Sequence, residues 1–171
     1  MAGIGRKWYN VDMRLYHGSN CAVEVPELVP QVRALDFGRA FYLTSDIEQA
    51  SRWARTSVLR RREGEPLVSV FEMDEARLEG LSLISFPGPT REWLRFISRN
   101  RNESLDDSGA DVVCGPVAND NTMPVLNLYF KGSYTEEEAL RRLLPQRLRD
   151  QYAFKTERAL SLLKFLEVLH V

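Results

Sequence analysis

The stretch Met13 to Asn20, MRLYHGSN, decides how the chain is read. A short apolar run with a tyrosine ends at His17, and Gly18 and Ser19 then break it. Residues 13–19 therefore predict a β-strand that runs into a turn. One of only two histidines in the chain stands at that strand end. Such a histidine is ordinarily a hydrogen-bonded structural residue. Gly18 points the other way, because glycine lets a second backbone or a ligand approach closely. Ser19 adds a hydroxyl that can donate and accept, but no Gly-x-Ser-x-Gly elbow surrounds it, so it does not read as a nucleophile.

Outward from this strand, residues 21–39 carry Pro26 and Pro30 and read as a long surface loop. Residues 40–45 (AFYLTS) predict a second short strand. Residues 45–64 predict a helix capped by Ser45 or Asp46, with Glu48 placed for a capping box with Ser45 and Ala50, Trp53, Ala54 and Val58 as its buried face. A strand over 67–74, a helix over 90–102 and a buried strand over 110–117 follow. Residues 125–130 fit either a strand or a helix start. A helix over 135–150, capped by Thr135 and broken or kinked at Pro145, leads to a strand over 151–156. A closing helix is expected over 156–170. Strands and helices mix without a regular βαβ rhythm, so the expected class is α+β.

The 171 residues suit one domain. Met13 reads as an internal start, which makes residues 1–12 an N-terminal extension and residues 13–171 the domain. A formal net charge of −1 argues against a broad basic field for nucleic acid. Cys21 and Cys114 lie far apart and outside any CxxC pattern, so zinc has no support, and two thiols fit a reducing compartment. No apolar run approaches the ~20 residues of a membrane span, and the first twelve residues lack the apolar core of a signal peptide. The expected setting is cytoplasmic, with delivery as an effector as a variant of it.

Three further segments carry candidate chemistry. In LDFGRAFYLT (35–44), Gly38 and Arg39 precede Tyr42; the arginine suits a phosphate contact and the phenol suits stacking on an aromatic ligand, although a core tyrosine would look the same. In GPVANDNT (115–122), Asn119, Asp120 and Asn121 form a dense polar loop, which either performs turn chemistry or edges a ligand cleft. In DQYAFKTERALSLLKF (150–165), Gln151 opens a strand, either as a solvated edge residue or as a polar group aimed at a substrate. Glu136, Glu137 and Glu138 are rivals to it, though TEEEALRRLL reads as a solvated helix start.

In this order LYHGS (15–19), LDFGRAFYLT, QASRWA (49–54), GPVANDNT and DQYAFKTERALSLLKF resemble the ADP-ribosyltransferase superfamily, in its branch with a histidine, a tyrosine and a third residue, and within it a little-characterised bacterial family. The resemblance runs from about residue 14 to 166. It implies a split-sheet core with flanking helices and an NAD cleft. It also implies that His17 holds the adenosine ribose, that the Gly18 backbone holds the nicotinamide carboxamide, and that Tyr42 stacks on the nicotinamide. Ser19, Gly38, Arg39, Asn119 and Asn121 are expected to contribute to NAD binding. Gln151 stands where many members have a glutamate. A glutamine positions a ribose by hydrogen bonding but cannot offer the negative charge that steadies an oxocarbenium ion, and Asp120 is the expected source of the missing carboxylate. The resemblance further implies transfer of ADP-ribose to a macromolecular acceptor, a toxin or effector role, and a protein antitoxin as partner. NAD hydrolysis, modification of a small antibiotic, or an inactive NAD-binding module are the alternatives. No metal is required.

Overall fold

The computed structural model describes residues 13–30, 35–102, 108–119 and 121–171. Strand β1 (Met13–Ser19) pairs antiparallel with β3 (Leu67–Met73), which pairs antiparallel with β7 (Leu163–His170). The second sheet has the order β2 (Phe41–Leu43), β6 (Asp150–Phe154), β5 (Val112–Pro116), β4 (Leu83–Ser85), with only the β4–β5 pair parallel. The fold is α+β, as expected.

Side-chain alternation distributes the core over three apolar layers. Leu15, Phe71 and Met73 of the first sheet meet Phe41, Leu43, Tyr152 and Phe154 of the second. On the far side of the first sheet, Val68 and Val70 pack on Ala50 and Ala54 of α1 (Ile47–Arg61). On the far side of the second, Val113 and Ala153 pack on Trp93, Leu94 and Ile97 of α2 (Arg91–Asn102), Leu126 of α3 (Met123–Phe130), and Ala139 and Leu143 of α4 (Glu136–Leu143). Each large side chain buried this way contributes roughly 1.5–3 kcal/mol.

The local signals for α1 and α4 held, with shifts. Asp46 caps α1 by accepting from the Gln49 amide, so the capping box on Ser45 does not form. Ser45 instead donates its hydroxyl to Asp150 at 2.6 Å. Ala50 and Ala54 are buried, whereas Trp53 and Val58 are half-buried. Thr135 caps α4 by accepting from the Glu138 amide, but the helix stops at Leu143, two residues before Pro145. Residues 123–130 settle as helix.

The closing helix is the largest correction. A four-residue turn of helix, α5 (Glu157–Leu160), is all that forms, and the chain then runs as β7. Val70 faces Glu167 while Phe71 faces Phe165, which leaves Leu166 as an extra, bulged residue. Phe165 packs into the inter-sheet core, and Leu166 and Leu169 pack against the α1 side. A bulged strand with both faces covered presents apolar residues at i, i+3 and i+4, the spacing of a helix.

Candidate functional site

The two sheets touch along β1 and β2 through a single bridge. Tyr16 N–H donates to Thr44 O at 2.8 Å and Thr44 N–H to Tyr16 O at 3.0 Å. An antiparallel ladder would next pair Gly18 with Tyr42. That pair does not form. The His17 ring takes the acceptor instead, Nδ1 lying 2.8 Å from Tyr42 O. A carbonyl can only accept, so Nδ1 carries the proton and Nε2 of the neutral ring is an acceptor. The ring also stacks on Phe41, with centroids 4.3 Å apart and planes 24° from parallel. Burial pushes the His17 pKa below its ordinary value, against an upward pull from the Tyr42 carbonyl.

Alternation turns the N–H and C=O of Gly18 the same way as those of Tyr16, away from β3 and into the gap where the ladder stops. A glycine is required here for a second reason. A Cβ at Gly18 would lie 1.9 Å from Ala50 O and 2.9 Å from Ala54 N, because α1 crosses the strand at that point. His17 and Tyr42 flank the gap from opposite faces. His17 shares the inter-sheet face with Leu15, and Tyr42 shares the outer face of the second sheet with its partner Ala153.

Tyr42 is half-buried, and its hydroxyl is tied to the turn that precedes it. It donates to Gly38 O at 2.6 Å and accepts from Phe37 N–H at 3.1 Å. Gly38 has φ 77°, a backbone that favours glycine. Phe37 anchors this turn. It is fully buried, and a side chain at Gly115 would come within 3.2 Å of its ring.

Gln151 lies on the same outer face, opposite Gly115, and is 4% exposed. Its Nε2 donates to Asp36 Oδ2 at 2.9 Å and to Pro116 O at 3.3 Å. Asp36, also 4% exposed, accepts from Ala118 N–H at 3.1 Å and pairs with Arg101 of α2 at 2.6 Å. The Lys155 ammonium donates to Phe37 O and, at 3.3 Å, to Arg39 O. Adjacent residues of one turn, Asp36 to Gly38, thus support both Gln151 and Tyr42. Reading the sequence missed Asp36, Arg101 and Lys155. A charge set between Leu35 and Phe37 is a weak signal that Asp36 is buried, and nothing local ties Arg101 to it.

The remaining candidates have structural partners. Ser19 Oγ lies 3.5 Å from Asn20 Oδ1 and 3.9 Å from Cys21 Sγ. Arg39 is exposed, and its guanidinium donates to the carbonyls of Leu28 and Val29. Asn119 performs turn chemistry. Its Oδ1 accepts from the amides of Asn121 and Thr122 at 3.0 and 3.1 Å, which starts α3. Asp120 lies outside the described residues. Glu136 is held by Arg91 and Arg95, which draw its pKa down, and Glu138 by Arg141 and Arg142. These two glutamates serve the α2–α4 contact and α4 itself.

The family profile of a protein of unknown function, DUF3990, matches residues 13–165, from the first residue of β1 into β7. The chain belongs to DUF3990. The match takes in the His17–Gly18 gap, the Asp36–Tyr42 turn and Gln151 alike. No curated protein and no solved structure matches this DUF3990 chain. Among its described residues, no helix is long and apolar enough to cross a membrane, and no three His, Cys, Asp or Glu residues are grouped to hold a metal ion.

Proposed function

We propose that this protein binds NAD at the β1–β2 gap and transfers its ADP-ribose to an acceptor. One observation carries the reading. The N–H and C=O of Gly18 face a gap where the ladder has stopped, with an aromatic ring on either flank. A primary carboxamide has the donor and acceptor needed to take the place of the missing strand residue. Nicotinamide presents a carboxamide on a flat ring, and the Tyr42 ring offers a surface for it. The order of His17, Tyr42 and Gln151 along the chain resembles that of ADP-ribosyltransferases, and two separate sheets joined at β1 and β2 agree with their split core.

In this reading Gly18 fixes the carboxamide and so orients the glycosidic bond. Neutral His17 offers Nε2 to a ribose hydroxyl. The C1–N bond of the nicotinamide ribose breaks, nicotinamide leaves with the electron pair, and C1 gains oxocarbenium character. An acceptor hydroxyl, amine or carboxylate attacks C1 and gives up its proton where it carries one. Water in that role makes the protein an NAD glycohydrolase. A toxin or effector role, a macromolecular acceptor and an inhibiting protein partner belong to the same proposal.

A second reading is favoured by Gln151. It is neutral, buried, and has both N–H groups engaged, which suits a module that binds NAD without cleaving it. Nicotinamide release by purified protein, compared with Tyr42→Ala and run with and without cell lysate, separates the two. Release that depends on Tyr42, with label appearing on a lysate component, is the expected result. Binding without release selects the module, and absence of binding overturns both.

A further inference from the structure

The amide of Gln151 has a fixed orientation. Its Nε2 faces two acceptors, Asp36 Oδ2 at 2.9 Å and Pro116 O at 3.3 Å. Turning the amide over would set Oε1 against a carboxylate and a carbonyl, with no proton between them. Asp36 is itself pinned by Arg101 and by the Ala118 amide, so it cannot move aside.

We propose that Asp36 is a positioning residue that holds Gln151 with its carbonyl oxygen toward the 2′-hydroxyl of the nicotinamide ribose. The inference rests on the NAD reading above. Asp36 does not touch substrate. It ensures that a neutral third residue presents an acceptor rather than a donor, which is the half of a glutamate's role that a glutamine can retain. The carboxylate assigned to Asp120 on the sequence would on this account be Asp36, acting through the amide.

Two substitutions test it. Asp36→Asn must set its NH2 group against either the Arg101 guanidinium or the Ala118 and Gln151 donors, so the charged, pinned acceptor that fixes the Gln151 amide is lost in either orientation. Gln151→Glu places two carboxyl groups at hydrogen-bond distance, and one of them holds a proton. A protonated Glu there donates to Asp36 and still presents a carbonyl. The expected result is that Asp36→Asn lowers kcat for nicotinamide release about tenfold or more, with little further loss on NAD lacking that 2′-hydroxyl. Gln151→Glu is expected to be active at low pH and to lose activity as pH rises, because loss of the shared proton sets two carboxylates against each other and drives the substituted side chain off the position that Asp36 holds. The double variant is expected to lack that alkaline limb. Equal losses on both substrates, or full activity of Asp36→Asn, overturn the proposal and leave the NAD reading standing. Should Asp36→Asn not fold, Gln151→Glu decides alone, and a pH profile like that of the unsubstituted protein overturns it. An unsubstituted protein that neither binds nor cleaves NAD overturns the reading and the proposal with it.

Discussion

Strand β2 has two neighbours and treats them differently. Toward β6 its ladder is complete, with Phe41, Leu43 and Tyr42 each set against a partner. Toward β1 there is one bridge, at Thr44 just past the end of the strand, and the chains then part. The backbone is equally able to pair on either side. On the open side the His17 ring lies against the carbonyl of Tyr42 that the Gly18 amide would otherwise reach, and α1 crosses at Gly18. An unpaired peptide group costs stability wherever water does not replace its partner. The closed edge therefore serves the fold, and the open edge is where the proposed site lies.

The largest expected effect belongs to the closed edge. Phe154 is fully buried and pairs with both Phe41 and Val112. Phe154→Ala should destabilise by about 3–5 kcal/mol, read as a lower denaturant midpoint. Turnover per folded molecule should be far less affected. A selective loss of NAD cleavage there would break the division between the two edges.

Gly18→Ala comes next. The new methyl group meets the backbone of α1 at Ala50 and Ala54, which cannot swing aside as a side chain would. A cost of about 1–3 kcal/mol is expected for overpacking, and under the proposed function whatever protein remains folded loses NAD binding. Unchanged NAD affinity would remove Gly18 from the site. Tyr42→Phe keeps the ring and removes the hydroxyl that joins Phe37 N–H to Gly38 O. About 1 kcal/mol is expected, the net worth of one hydrogen bond and part of a second, visible as a lower melting temperature. A larger loss would mean that the Asp36–Gly38 turn depends on Tyr42 more than on Phe37.

How far the sequence foretold these edges depends on the range of the interaction. β1, β2, β6, α1, α2 and the caps at Asp46 and Thr135 were legible because each rests on residues a few positions apart. β7 was misread because its bulge at Leu166 and its two covered faces imitate helical spacing. β4 is three residues long and was not seen at all. At the candidate site, His17, Gly18, Tyr42 and Gln151 are the residues that local pattern and resemblance single out. They do not single out the carboxylate beside Gln151. Asp36 is 115 positions away in the chain, and a polar loop at 119–121 looked richer in candidates. In that loop Asn119 performs turn chemistry, because its Oδ1 accepts from the Asn121 and Thr122 amides ahead of α3.

The smallest expected effect is also the most direct probe of the open edge. Burial holds the His17 pKa below its ordinary value near 6.5. Below that pH the unfolded chain takes up a proton that the folded protein resists. His17 therefore contributes stability above about pH 6.5 that is lost as pH falls toward its folded value. His17→Leu should flatten the stability profile as pH falls below about 6.5, measured as the difference in denaturant midpoint from the unsubstituted protein. The same change frees the Tyr42 carbonyl. If the gap exists because His17 holds it open, Gly18 N–H can then pair with Tyr42, the ladder closes, and NAD affinity falls without loss of fold. If NAD affinity survives with the pH step removed, the gap is kept open by the crossing of α1 over Gly18, and the role of His17 is confined to its own hydrogen bond.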